Sequence, residues 1–227
     1  MHDHDDADLR GFAELLGERR WRLLATRGGI RHYKPGEALL RQGEMGSFLL
    51  VLLQGRVKVL AGDSEGSELL LSLRGPGDLV GEMAAGRCTP RTATVVALEK
   101  CTARTLTRAE FDRFLEEQGA RATYADYLVG KLSETVPYQV QQVHFPPRQR
   151  LARLFLEVVR LADPNRPDCY RIPFSQDALA KALGLVRSTV AEQIRTMRAD
   201  GVLTPGPRLV VANIRALADD ARAVRLE

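Results

Sequence analysis

Residues 81–95 read GEMAAGRCTPRTATV, and the rest of the chain is best read outward from them. The stretch sets one carboxylate, Glu82, nine residues before one guanidinium, Arg91, with a small-residue segment between. A carboxylate accepts hydrogen bonds and can hold a sugar hydroxyl. The planar arginine fork offers parallel donors to two phosphate oxygens. Gly81, Ala84, Ala85 and Gly86 keep bulk away, so backbone amides can approach an anion closely. Pro90 stiffens the approach to Arg91, and Thr92 adds a hydroxyl beside it. An exposed Glu82–Arg91 ion pair at a β-hairpin tip is the alternative.

Upstream and downstream of this segment the texture is that of strands. EALLRQG, SFLLVLLQGRVKVL, SELLLSL, TATVVAL and TARTLT are short apolar runs separated by Gly, Pro and Asp. Glycines recur at 36, 43, 46, 55, 62, 66, 75, 77, 81 and 86, as a many-turned antiparallel barrel requires. A helical pattern with Phe12, Leu15, Leu16, Leu23 and Leu24 spans Leu9 to about Thr26. Residues 1–8, MHDHDDAD, predict a solvated, disordered tail.

After Thr107 the pattern is helical. Tyr124, Leu128, Leu132, Val136, Val140 and Val143 form a stripe at three-to-four-residue spacing, which fits a core face or the seam of a helix dimer. Pro137 predicts that this helix kinks or stops near residue 136, because proline removes a hydrogen bond and clashes with the preceding turn. Pro146 and Pro147 open an amphipathic helix, RQRLARLFLEVVRLA, and DPNRPD is a loop.

Residues 175–198, SQDALAKALGLVRSTVAEQIRTMR, have the form of a helix-turn-helix. Ser175 is the expected N-cap, followed by Gln176; Leu179 and Leu183 face inward and Gly184 makes the turn. On the second helix Val186, Val190, Ile194 and Met197 share one side. Arg187, Ser188, Ala191, Glu192 and Arg195 lie on the other, where a major groove could meet them. GVLTPGPRLVV (201–211) reads as strand, turn and strand, with Arg208 placed for a phosphate, and Asn213 caps a last helix.

Composition bounds these readings. A chain of 227 residues that is 44% hydrophobic suits two packed domains, and no apolar run reaches the length of a membrane span. Three cysteines without a C-x-x-C pair argue against a disulfide scaffold or zinc ribbon. A net charge of +4 permits a nucleic-acid partner. Nothing in the chain pairs a nucleophile with a base, so an enzyme is not expected.

The segment around Glu82 and Arg91 resembles the phosphate-binding cassette of cyclic-nucleotide-binding domains, roughly G-E-[LIM]-A…P-R-[STA]-A. KPGE (34–37), QGR (54–56) and GPGDLVGE (75–82) resemble the turns of that jelly roll. With the winged helix-turn-helix, the whole order is similar to the cAMP receptor protein/fumarate-nitrate regulator (Crp/Fnr) family of bacterial transcription factors. The resemblance implies an α+β chain with four parts. These are the tail (1–8), an effector jelly roll (9–110), a long dimerisation helix kinked near Pro137 (111–144) and a winged helix-turn-helix domain (145–227). It implies a cytoplasmic homodimer that binds a near-palindromic duplex and RNA polymerase, with cAMP or cGMP as effector.

Carried over residue by residue, Gly81, Glu82, Met83, Ala84, Arg91 and Thr92 would line the nucleotide. Thr135 falls where the family's cAMP-binding members touch adenine, and Val136 where a partner's serine does so. Arg187 takes the guanine-reading position, beside Thr189. Ser188 replaces a glutamate, Glu192 a second arginine, and Val186 the usual serine N-cap. The iron–sulfur branch needs a cysteine cluster near the N-terminus, and the first cysteine here is Cys88. His32 and His144 carry no haem-ligand pattern, and no metal is expected. The alternatives are a family regulator with another effector or none, and a cyclic-nucleotide module controlling a partner enzyme.

Overall fold

The computed structural model describes residues 10–62, 68–86 and 89–222, with the backbone alone over 134–144. The expected tail at 1–8 and Cys88 lie outside the described residues.

Two helices, α1 (Gly11–Leu16) and α2 (Glu18–Ala25), open the chain. A single helix was expected here. Gly17 between them adopts φ +79°, a left-handed conformation that ends the first and turns into the second. Eight strands follow: β1 (Gly29–Tyr33), β2 (Ala38–Leu40), β3 (Phe48–Gln54), β4 (Val57–Gly62), β5 (Glu68–Arg74), β6 (Leu79–Val80), β7 (Thr94–Ala97) and β8 (Cys101–Thr107). They form two antiparallel sheets of order β1-β8-β3-β6 and β2-β7-β4-β5. A short helix, α3 (Glu82–Ala85), interrupts them between β6 and β7.

The run FLLVLLQ of β3 shows why the sheets stack as they do. Its residues alternate by face, and both faces are covered. Leu50 and Leu52 meet Val57, Val80, Val95 and Ala103 between the sheets. Leu49 and Val51 meet Phe12, Phe111, Phe114, Tyr124 and Tyr127 on the helical side. An unbroken apolar strand is what double-sided burial requires.

The predicted helix over 111–144 is two helices, α4 (Arg108–Glu117) and α5 (Arg121–His144). Thr107 and Glu110 close a capping box at the start of α4, and Gly119 at φ +59° separates α4 from α5. Of the expected kink or stop near residue 136, the stop is corrected, since α5 continues through Pro137 to His144. Proline costs a helix one hydrogen bond, here the donor to the Ser133 carbonyl, and a long helix can lose one bond without ending. Edge-to-face contacts of Phe12 and Phe111 with Tyr124, at 6.0 and 5.1 Å between centroids, fix the first turns of α5 to α1 and α4.

The remaining helices are α6 (Pro147–Arg160), α7 (Gln176–Leu183), α8 (Arg187–Ala199) and α9 (Ile214–Arg222). Their core of Leu151, Phe155, Leu179, Val190, Ile194, Met197 and Leu217 is continuous with Leu60, Leu70 and Leu73 of the barrel.

Candidate effector site and nucleic-acid interface

Gly81 sits at φ +83°, and a Cβ there would come within 2.5 Å of Arg91 Nη1 and 2.7 Å of Leu40. Only glycine meets both demands, which is why this turn can pass so close to the arginine. The helix that follows carries Glu82 inward, where it is 3% exposed; Arg91 is 4% exposed. An exposed ion pair at a hairpin tip is therefore excluded. Ala84 is buried, and Gly46 packs so closely against it that a Cβ on the glycine would lie 2.6 Å from the alanine's.

The two charged groups do not neutralise each other. Arg91 donates from Nη2 to the Phe48 carbonyl at 2.9 Å and from Nη1 to the Gly81 carbonyl at 3.3 Å, with its guanidinium over the Phe48 ring. Among the described residues no carboxylate reaches it within ion-pair distance. Burial pulls its pKa down, against the weaker opposing fields of Glu44 and Glu82. A buried guanidinium held only by carbonyl dipoles is a site for an anion.

Glu82 has a partner that sequence reasoning missed. Lys131 of α5 donates to Glu82 Oε1 at 2.7 Å and to the Leu79 carbonyl at 2.8 Å. One turn earlier, Tyr127 accepts from the Leu79 amide at 2.9 Å and donates to Asp78 Oδ1 at 3.1 Å. Burial pushes the Asp78 carboxyl and the Tyr127 hydroxyl above their ordinary values. The i, i+4 spacing of Tyr127 and Lys131 puts both on the face of α5 that grips the strand leading into the cassette.

Gly81, Glu82, Met83, Ala84, Arg91 and Thr92 line one cavity of about 220 Å3. All six were expected there. Arg74, Ser72 and Leu132 join them. Met83 is about half exposed, and Thr92 is exposed. The side chains of Thr135 and Val136 lie outside the described residues.

In the second half Ser175 caps α7, its Oγ accepting from the Ala178 amide at 3.1 Å, and Gly184 takes the left-handed conformation of the turn. Val190, Ile194 and Met197 are buried, leaving Arg187, Ser188, Glu192 and Arg195 exposed and Gln176 and Thr189 half-buried. Val186 departs from expectation. It is 66% exposed, because it is the N-cap of α8 and its side chain leaves before the helix begins. Arg187 Nε lies 3.3 Å from Asp177 of α7, an exposed pair. The expected strands at 201–211 shrink to isolated bridges, Leu203 with Val211 and Val210 with Arg171, while Arg208 projects at the tip. Asn213 caps α9 through Oδ1, as expected.

Two family profiles match this division: the cyclic nucleotide-binding domain over residues 30–118 and the Crp-like helix-turn-helix domain over 149–220. The chain belongs to the Crp/Fnr family of transcriptional regulators. It is 26% identical over 191 residues to the cyclic AMP receptor protein of Thermus thermophilus, covering 84% of this chain and 86% of that one. The c-di-GMP-responsive global regulator CLP of Xanthomonas campestris superposes with a TM-score of 0.68 at 18% identity, over 87% of this chain and all of that one. The acetyltransferase Pat of Mycolicibacterium smegmatis is 37% identical over 115 residues, half of this chain and 34% of that protein. This Crp/Fnr member is thus a DNA-binding regulator with a cyclic-nucleotide-type domain, and not an enzyme. None of its described helices is long and apolar enough to cross a membrane.

Proposed function

We propose that the barrel binds a cyclic mononucleotide, cAMP or cGMP, and that its occupancy biases a cytoplasmic homodimer between DNA-binding states. The observation that carries this reading is Arg91, a buried guanidinium with carbonyl partners and, among the described residues, no carboxylate within ion-pair distance, opening on a cavity. The cyclic phosphate meets Arg91 and Thr92, the ribose hydroxyl meets Glu82, and Gly81, Met83 and Ala84 form the wall. Thr135 reaches the base. The T. thermophilus relative, named for cyclic AMP, supports the same class.

In the dimer, α5 pairs with its twin, for which exposed Val129 and Leu132 supply apolar contact. Arg187 reads a guanine in each half-site of a near-palindromic duplex. Ser188, Thr189, Glu192 and Arg195 face the same groove, while Ser175, Gln176 and Arg208 hold phosphates. RNA polymerase is the further partner. A second reading, a regulator with another effector or none, is favoured by one observation: Lys131 already occupies Glu82. The helix-turn-helix match speaks against a module serving a partner enzyme.

Calorimetry with cAMP and cGMP tests the effector. Binding is expected to vanish in Arg91→Ala. In Glu82→Ala it should weaken and lose discrimination against the 2′-deoxy analogue. No heat and no melting shift at millimolar nucleotide would end the cyclic-mononucleotide reading and leave the fold untouched.

A further inference from the structure

The largest fully buried side chain among the described residues is a charged one, Arg56, at the turn between β3 and β4. Its Nε and Nη2 donate to the two oxygens of Glu99 at 2.9 and 2.8 Å, a bidentate pair within the barrel. Its remaining nitrogen crosses to the other domain. Nη1 donates to the carbonyl of Val158 in α6 at 2.9 Å and lies 3.4 Å from that of Arg171. Val158 is in the last turn of α6, where carbonyls lack helical partners; the Ala162 amide that would serve it bonds to Val159 instead. A barrel arginine therefore caps the first helix of the DNA-binding domain, at the end where positive charge is favoured. Beside it, Gly75 approaches Leu161 so closely that a Cβ would lie 3.1 Å from the carbonyl oxygen.

The contact has a consequence for α7, which packs against β5. Lys58 and Glu68 of the β4–β5 hairpin face Ser175, Asp177 and Lys181 across a cleft of about 250 Å3. Lys58 and Lys181 repel there; both burial and Lys181 pull the Lys58 pKa down, against the opposing field of Glu68. Both signs of charge stand on both sides of this cleft; beside it Arg56 and the shared leucine core join the domains. The cleft also brings a barrel carboxylate, Glu68, to the first turn of α7, where a DNA phosphate would have to lie.

We infer that Arg56 is a latch that keeps the DNA-binding domain closed on the barrel, and that α7 must leave the β4–β5 hairpin before it can meet a duplex. This rests on the proposed phosphate-contacting role of Ser175 and Gln176. Arg56→Met/Glu99→Gln in the full chain removes the bridge without leaving Glu99 charged and unpaired. Without nucleotide, amide exchange over 156–162 and 176–183 should rise by about tenfold, the loss of one charge-assisted bond, while β3 and β8 keep their protection. Affinity for a random-sequence duplex, read by anisotropy, should rise by a similar factor. Unchanged exchange in a folded variant overturns the latch. Faster exchange with duplex affinity unchanged or lower overturns the closed state. Duplex binding absent in every protein defeats the DNA-contact reading, while exchange alone still decides whether Arg56 latches the domains. Should the double variant fail to fold, Arg56→Lys, which keeps a buried cation but cannot span Glu99 and the Val158 carbonyl with a planar fork, is expected to raise exchange over 156–162 and 176–183 and to raise duplex affinity; no change in either overturns the proposal.

Discussion

An ammonium and a carboxylate buried together stabilise a protein only as a pair, because whichever remains alone keeps its desolvation cost. Lys131→Met should therefore destabilise the barrel by about 3–5 kcal/mol in urea denaturation, leaving Glu82 without its cation. The double variant Lys131→Met/Glu82→Gln should recover most of that loss; equal losses in both would mean that the pair carries no coupling. Asp78 gives a pH signature. Its folded pKa is raised by burial, so its contribution is fully present below the unfolded carboxylate value and is lost as pH rises through the folded one. Thermal melts of Asp78→Asn should lack the decline that wild type shows above about pH 4. Glu82 and Arg91 were legible in the sequence because their spacing and the small residues between them leave few other uses. Lys131 was not, since a lysine on a long helix reads as surface and its partner lies 49 residues away.

At the scale of elements, periodicity placed the apolar strands and the helices of the second half, and it missed what single residues decide. β1, GIRHY, escaped because four of its five residues are exposed at a sheet edge and show no alternation. Gly17 and Gly119 divide helices that the apolar pattern joins. Pro137 does not end its helix, and a helix carrying it keeps a cost of about 3 kcal/mol. Pro137→Ala should raise the denaturation midpoint by restoring a donor to the Ser133 carbonyl; a midpoint that stays put would mean that a local bend already relieves the strain. Ser175→Ala, which removes the cap of α7, should cost about 1 kcal/mol.

For the molecule as a whole, an effector barrel and a DNA reader share one continuous apolar core. A ligand can therefore act on the reader through packing, without a flexible tether between them. The domain order was legible because each half carries its own restrictive pattern. The contact between the halves was not, because Arg56 belongs to a turn and its carbonyl partners carry no sequence signal. At the duplex, Arg187→Ala should cost about 1–3 kcal/mol and relax preference at one base pair per half-site. Arg208→Ala should weaken all sequences alike and lower the salt slope by about one. A nucleotide-gated, two-fold symmetric reader is tested most directly by selection from a random duplex library with and without cyclic mononucleotide. The expected result is enrichment, stronger with nucleotide, of a near-palindrome whose half-sites lie about 34–36 Å apart. A single unpaired half-site, or no enrichment at low salt in either condition, would contradict it.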